Sequence, residues 1–242
     1  MLHTADVHLE GDGYGDARQQ AAHRQAGRRV FQRIVDRALL DEVDLLLIAG
    51  DLFDHNRVSD EAVDFVRSEL ARLRQPVVIL PGNHDVLGPN AIYDRHDLTA
   101  GTNHVHVIRR LDGETIDLPE LDTIVWGRGM EAHEPGFQPL GHIPSRDARR
   151  WCLAMGHGFF YRERQKPDRS SPIFAEEIRD TGWDYLALGH HHVQENVSQG
   201  KVTAYYAGAP AMEWVGEQPL GTVLRADFSD EGEIHVEPRP LA

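Results

Sequence analysis

The chain has 242 residues, 40% hydrophobic and 26% charged, with a formal net charge of −14; this supports a real core in one large domain or two small ones. No run approaches the roughly 18 apolar residues of a membrane span, "MLHTADVHLE" turns acidic where a signal peptide would stay apolar, and the one cysteine, Cys152, cannot form an internal disulfide. These features predict a cytoplasmic, non-membrane protein, and the acidic surplus weighs against a stand-alone, high-affinity nucleic-acid binder, whose surface is ordinarily basic.

Residues 2–6 (LHTAD) form a short β-like run. In 28–40, Val30, Phe31, Ile34, Val35, Ala38 and Leu39 recur at helical intervals. Residues 44–51 (DLLLIAGD) read as a buried strand ending in Gly-Asp. Ser59 then opens a helix over 59–73, with acids in the first turn where the macrodipole favours them. Residues 76–85 (PVVILPGNHD) run from apolar strand into tight turn. This β-α-β-α-β order predicts an α/β fold with a partly parallel central sheet. The near-continuous apolar strands fit a sheet covered on both faces.

The second half is richer in strands. Short, more alternating ones are expected at 104–108, 114–118 and 122–127. Residues 151–158 (WCLAMGHG) read as a buried strand, 173–182 as a short helix with Gly182 as its C-cap, and 184–192 (DYLALGHHH) as another strand. A strand at 202–210 and a hairpin of 222–228 with 233–238 complete the chain. Without a low-complexity linker or repeat, one domain over 1–242 is the simplest reading, built as two sheets with helices outside. Positive charge is clustered: 17–35 has five arginines and no acid, and 161–171 is net basic. A solvated helix face and a solvated loop are the plain readings of these two stretches.

Five apolar strands finish in polar clusters of metal-ligand type: Asp6-Val7-His8, Gly50-Asp51, Gly82-Asn83-His84-Asp85, Gly156-His157-Gly158 and Gly189-His190-His191-His192. Carboxylates, imidazoles and an amide suit borderline divalent cations such as Mn²⁺, Fe²⁺ or Zn²⁺. In open α/β sheets ligands bind beyond the carboxyl ends of the strands, so five clusters on one rim offer enough donors for two ions. Each cluster alone has a bland reading, such as a turn or a satisfied buried histidine; coincidence at five successive strand ends does not. In extended backbone residues i and i+2 share a face, so Asp6 and His8 are expected to face one ion, and His190 and His192 likewise, with His191 turned away.

The order D-x-H, G-D, G-N-H-D, G-H-G, G-H-x-H resembles the calcineurin-like metallophosphoesterase superfamily, whose fold is a four-layer αββα sandwich of two mixed sheets flanked by helices. "LHTADVHL", "IAGDLFD", "VVILPGNHD", "LALGHHH" and "YYAGAP" are similar to its SbcD-type DNA repair exonuclease branch. The resemblance implies that Asp6, His8 and His192 bind a first metal, that Asp51 bridges, and that Asn83, His157 and His190 bind a second. It assigns catalysis to His84, as the acid that protonates the leaving oxygen, with Asp85 orienting a neighbour or simply forming the turn. His55 is placed to reach the phosphate in relatives of this kind, and Arg162, Arg164 and Lys166 are expected to steer an anionic substrate. Two cations, manganese first among the candidates, would activate a bridging water for in-line attack on a phosphodiester.

Three functions follow as alternatives. The first is a phosphodiesterase or exonuclease on nucleic acid. The second is a hydrolase of a small phosphorylated metabolite or cyclic nucleotide, which the acidic composition favours. The third is a non-catalytic scaffold, against which the full ligand set argues. SbcD-type nucleases continue into a capping domain and a segment that docks an ATPase. The text here matches the phosphoesterase core alone, which puts an ATPase partner in doubt.

Overall fold

A computed structural model describes residues 1–11, 13, 15–164, 168–210 and 221–241. The first half contributes β1 (Leu2–Thr4), α1 (Ala17–Leu40), β2 (Leu46–Ala49), α2 (Asp60–Leu70), β3 (Val77–Leu80), α3 (Ile92–Arg95) and β4 (Val105–Val107). Next come β5 (Glu114–Leu118), β6 (Thr123–Gly127), β7 (Trp151–His157), β8 (Phe159–Tyr161), β9 (Pro172–Phe174) and α4 (Ala175–Thr181). The chain closes with β10 (Tyr185–Gly189), β11 (Glu195–Asn196), β12 (Thr203–Tyr206), β13 (Thr222–Phe228) and β14 (Ile234–Pro240).

Two six-stranded sheets result, ordered β14-β13-β1-β2-β3-β4 and β11-β12-β10-β7-β6-β5. Strands β1 to β4 are mutually parallel, as are β12, β10, β7 and β6, while the marginal pairings β1–β13, β13–β14, β11–β12 and β5–β6 are antiparallel. The expected pair of mixed sheets flanked by helices is therefore present. The two parallel centres are what matter for function, because each sends its strand ends to one rim.

Alternation along the strands makes the layers. Leu46, Ile48, Val77 and Ile79 face outward and pack on Phe31, Ile34 and Val35 of α1 and on Val63 and Val66 of α2. Leu45, Leu47, Val78 and Leu80 face inward, against Val125, Leu153, Met155 and Ala187 of the second sheet. On that sheet's far side Ala154, Leu186 and Tyr206 pack with Ile178 of α4 and with Trp183. Full burial of each large side chain stabilises by about 1.5–3 kcal/mol, and both faces of both sheets are covered this way.

Several boundaries differ from the sequence reading. Helix α1 starts at Ala17, not at 28, because Asp16 caps it: the Asp16 carboxylate accepts the Arg18 and Gln19 amides, and the Gln19 side chain accepts the Asp16 amide. Its arginine-rich first half therefore owes its helicity to that cap rather than to an apolar stripe. Leu39, expected on the buried face, is 39% exposed. Ser59 caps α2 as expected, and Gly182 closes α4 at φ 62°. Residues 173–174, expected to begin a helix, instead complete β9, which pairs with β8. Among the described residues no helix is long and apolar enough to cross a membrane.

Candidate metal centre

The predicted donors come from both sheets. Asp6 and His8 follow β1, Asp51 follows β2, and Asn83 follows β3, whereas His157 ends β7 and His190 and His192 follow β10. All seven meet. His8 Nε2 lies 3.2 Å from His192 Nε2, which is 3.9 Å from Asp6 Oδ1. On the other side His157 Nε2 and His190 Nδ1 approach Asn83 Oδ1 at 3.0 and 2.8 Å. Asp51 Oδ2 stands between the two groups, 3.8 Å from His8 Nε2 and 3.3 Å from His157 Nε2.

Hydrogen bonds behind the rings decide which nitrogen faces the centre. His157 Nδ1 donates to the Ala49 carbonyl at 3.0 Å, and His8 Nδ1 to Asp54 Oδ1 at 3.0 Å. Each ring therefore turns its Nε2 inward, the usual arrangement behind a metal-ligating histidine. His8 Nε2 lies 3.2 Å from His192 Nε2, so a shared proton or a cation must lie between them. The donor set thus fits divalent ions. Asp6, His8 and His192 form one such group, and Asp6, Asp51 and His157 another, with ligand atoms within 4.8 Å of one another.

Charges at the rim respond to burial and to each other. Burial pushes the fully enclosed Asp6 up to about 6, with the Asp51 charge adding to the rise and His157 and His8 opposing it. Burial would also raise Asp51, but His157 pulls it below the ordinary carboxylate range. Burial would lower His157; Asp51 reverses this and holds the ring near about 9. Burial and the neighbouring His157 and His133 press His190 down to about 3. In the protein alone, protons and rings do the neutralising that divalent ions do better.

The backbone here is unlike the extended strand expected. Asp6 (φ 54°), His8 (50°), Asp51 (52°) and His190 (93°) all adopt left-handed conformations, each costing on the order of 1–3 kcal/mol. β1 stops at Thr4 and β10 at Gly189, so tight turns, not the expected i, i+2 strand alternation, aim the side chains. His191 nonetheless turns away, toward Glu195 at 3.6 Å and the Tyr206 ring. Close approach also dictates two glycines. A Cβ on Gly50 would lie 2.0 Å from His157 Nδ1, and one on Gly82 2.2 Å from Asp51 Oδ1.

His84 sits at the open mouth, its side chain 42% exposed. Its Nδ1 donates to the Asp54 carbonyl at 2.7 Å, its amide donates to Asp51 Oδ1 at 2.8 Å, and its ring packs edge-on against His8. The Asp54 carboxylate, 3.4 Å away, holds the imidazole up near about 9. Asp85 is elsewhere. Fully buried, it accepts from the Gly82 amide (2.7 Å), the Phe53 amide (3.2 Å) and the Tyr93 hydroxyl (2.7 Å). It pins the turn bearing Asn83 to the loop bearing Asp51 and does not reach the mouth.

The candidate substrate contacts fare differently. His55 Nδ1 accepts the Arg57 amide at 3.1 Å, closing its own turn. Arg164 stacks on Phe174 and pairs with Glu176 at 3.0 Å and Glu177 at 3.5 Å, which ties it to α4. Arg162 is exposed, and Lys166 lies outside the described residues. Sequence reasoning gave no role to Asp54, which stands in "GDLFD" without a ligand motif of its own. It also passed over His133, whose ring lies 4.9 Å from that of His190, and over Arg169.

Comparison with known proteins places the chain in one family. Residues 1–194 match the family of calcineurin-like phosphoesterases. Over 237 residues the chain is 36% identical to the DNA double-strand break repair protein Mre11 of Methanopyrus kandleri, covering 87% of this chain and 48% of that protein. Over 225 residues it is 26% identical to the uncharacterized metallophosphoesterase YhaO of Bacillus subtilis, covering 86% and 52%. The chain spans about half the length of these relatives. Among solved structures, TT1561 of Thermus thermophilus superposes with a TM-score of 0.61 at 9% identity, covering 100% of this chain and 98% of that one. Purple acid phosphatase PPD1 from yellow lupin seeds gives 0.61 at 13% identity, covering 99% and 51%. At such identity these two show the shared fold.

Proposed function

Because the chain belongs to the calcineurin-like phosphoesterase family, matched over residues 1–194, we propose that it is a phosphodiesterase with two divalent ions, acting on nucleic acid. The observation that carries this reading is Asp51 Oδ2 standing between two donor groups, one of Asp6, His8 and His192 and one of Asn83, His157 and His190. Those residues would hold the ions, with Asp51 shared. Nitrogen and oxygen donors of this kind accept manganese, iron or zinc, and manganese is our first choice. Divalent ions at such a centre polarise phosphoryl oxygens and make water acidic enough to attack near neutral pH.

The protein's own groups do the rest. The Asp54 carbonyl holds a proton on His84 Nδ1, which leaves Nε2 for the substrate. Protonated there, His84 donates to the departing oxygen as general acid, a contribution of typically 10²–10⁴-fold. Asp85 and Tyr93 keep that turn in place from below. The resemblance to Mre11 supports nucleic acid as the substrate class. The net charge of −14 favours the second reading, a small phosphorylated metabolite or cyclic nucleotide.

A substrate panel separates them: bis-p-nitrophenyl phosphate, p-nitrophenyl phosphate, cyclic nucleotides and labelled DNA, each with Mn²⁺, Mg²⁺, Zn²⁺ or Fe²⁺. Release of nucleotides from DNA together with diester turnover supports the proposal. Turnover of cyclic nucleotides or monoesters with DNA left intact selects the second reading.

A further inference from the structure

We infer that Arg169, braced against Phe159, recognises a second phosphate on the substrate, next to the one that is cut. This rests on the phosphodiesterase reading above and names the kind of diester preferred: a nucleotide carrying another phosphate. Among the cations of the 161–171 loop, Arg164 is tied to α4. Arg169 is placed otherwise. Its guanidinium carbon lies 4.6 Å from the centre of the Phe159 ring, and the adjacent Asp168 carboxylate, itself bonded to the Tyr161 hydroxyl, feels its charge without closing an ion pair with it. Phe159 follows His157 by two residues, and its ring stands 6.4 Å from that of His190 and 6.3 Å from that of His191. The arginine is thereby held on the flank of the Asn83–His157–His190 group, the side that His133 also lines.

The main chain is fixed on both sides of Arg169. Its amide donates to the Tyr161 hydroxyl at 3.0 Å, and that hydroxyl donates to Asp168 at 2.6 Å. Two residues on, the Ser171 carbonyl accepts the Phe159 amide at 3.0 Å and packs so closely on Gly158 that a Cβ there would be 2.0 Å away. A guanidinium lying on an aromatic face keeps its N–H edges free, and those edges match a phosphate bidentately. Because the stack already restricts the side chain, little freedom is lost on binding.

The test uses thymidine 5′- and 3′-(p-nitrophenyl phosphate), each with and without a phosphate on the other hydroxyl. In one of the two series, Arg169→Ala should raise KM for the doubly phosphorylated ester about tenfold or more, the scale of a charge-assisted pair. The singly phosphorylated ester should change little. Arg169→Lys should restore only part of the loss, and Phe159→Leu should weaken the same preference. In chelator, calorimetry should show the wild type binding thymidine 3′,5′-bisphosphate more tightly than thymidine 5′-monophosphate, and R169A losing the difference. Equal loss on both kinds of ester, or a bisphosphate preference that survives R169A, overturns the assignment. An Arg169-dependent binding preference without any ester turnover upholds it and instead defeats the phosphodiesterase reading.

Discussion

The Nδ1 of His84 donates to the main-chain carbonyl of Asp54 at 2.7 Å. The Asp54 carboxylate meanwhile accepts from His8 Nδ1 at 3.0 Å. One residue thus sets the tautomers of a proposed ligand and of the proposed acid, the first through its side chain and the second mainly through its backbone. Asp54→Asn keeps the carbonyl and removes the charge. It should leave His84 oriented but lower metal affinity by about 10–100-fold, as loss of a partner behind a ligating histidine does. Metal titration beside kcat checks this. Unchanged affinity would mean that Asp54 does not prepare His8.

His84→Ala separates acid from ligand. The His84 ring lies close enough to His8 and Asp51 to be grouped with them as a possible metal-holding set. If it is the acid, kcat for bis-p-nitrophenyl phosphate should fall by about 10²–10⁴-fold while metal content holds. Parallel loss of an ion would make His84 a ligand instead.

Asp85 carries a different expectation. Its carboxylate satisfies three buried donors, on Gly82, Phe53 and Tyr93. An asparagine amide presents only one oxygen, so Asp85→Asn leaves some of these donors unpaired at about 1–3 kcal/mol each. The melting temperature and metal affinity should fall together, because the turns bearing Asp51 and Asn83 lose their common anchor. Tyr93→Phe should show a smaller version of both. A stable D85N with normal metal binding would show that the anchor is dispensable.

Much of this centre was legible in the text because its strands are buried on both faces. Continuous apolar runs such as "DLLLIAGD" announce their own ends, and a histidine or carboxylate just beyond such an end has little to do in a core. The fold followed from the same runs. What escaped notice lacked a pattern. The first half of α1 is arginine, glutamine and alanine, with no apolar stripe, and only the Asp16–Gln19 box marks its start. The left-handed turns at Asp6, His8 and His190 defeat any argument from strand alternation. Asp54 and Arg169 act through contacts with residues far away or across a loop, His84 for one and Phe159 for the other, and no short motif records them.

His3 gives a pH dependence away from the metal centre. It is fully buried in β1, with Nδ1 3.0 Å from the Tyr185 hydroxyl. Burial lowers its pKa to about 3, and a bond to the Leu188 main chain only partly opposes this. The folded pKa lies below the unfolded value near 6.5, so the unfolded chain takes up the proton first. The stability held above pH 6.5 drains away as pH falls toward 3, amounting to about 2 kcal/mol by pH 5. His3→Gln, which can still partner Tyr185 but does not titrate, should lose less stability than wild type in denaturant melts between pH 7 and 5. Parallel curves would remove His3 from the acid response.

The most direct measurement is ion stoichiometry by equilibrium dialysis against Mn²⁺, read by elemental analysis. Wild type should hold two ions per chain, Asn83→Ala one, and Asp51→Ala neither with measurable affinity, because Asp51 Oδ2 stands between both groups. A single ion per chain that survives Asn83→Ala, or two ions retained by Asp51→Ala, would contradict the shared two-ion centre.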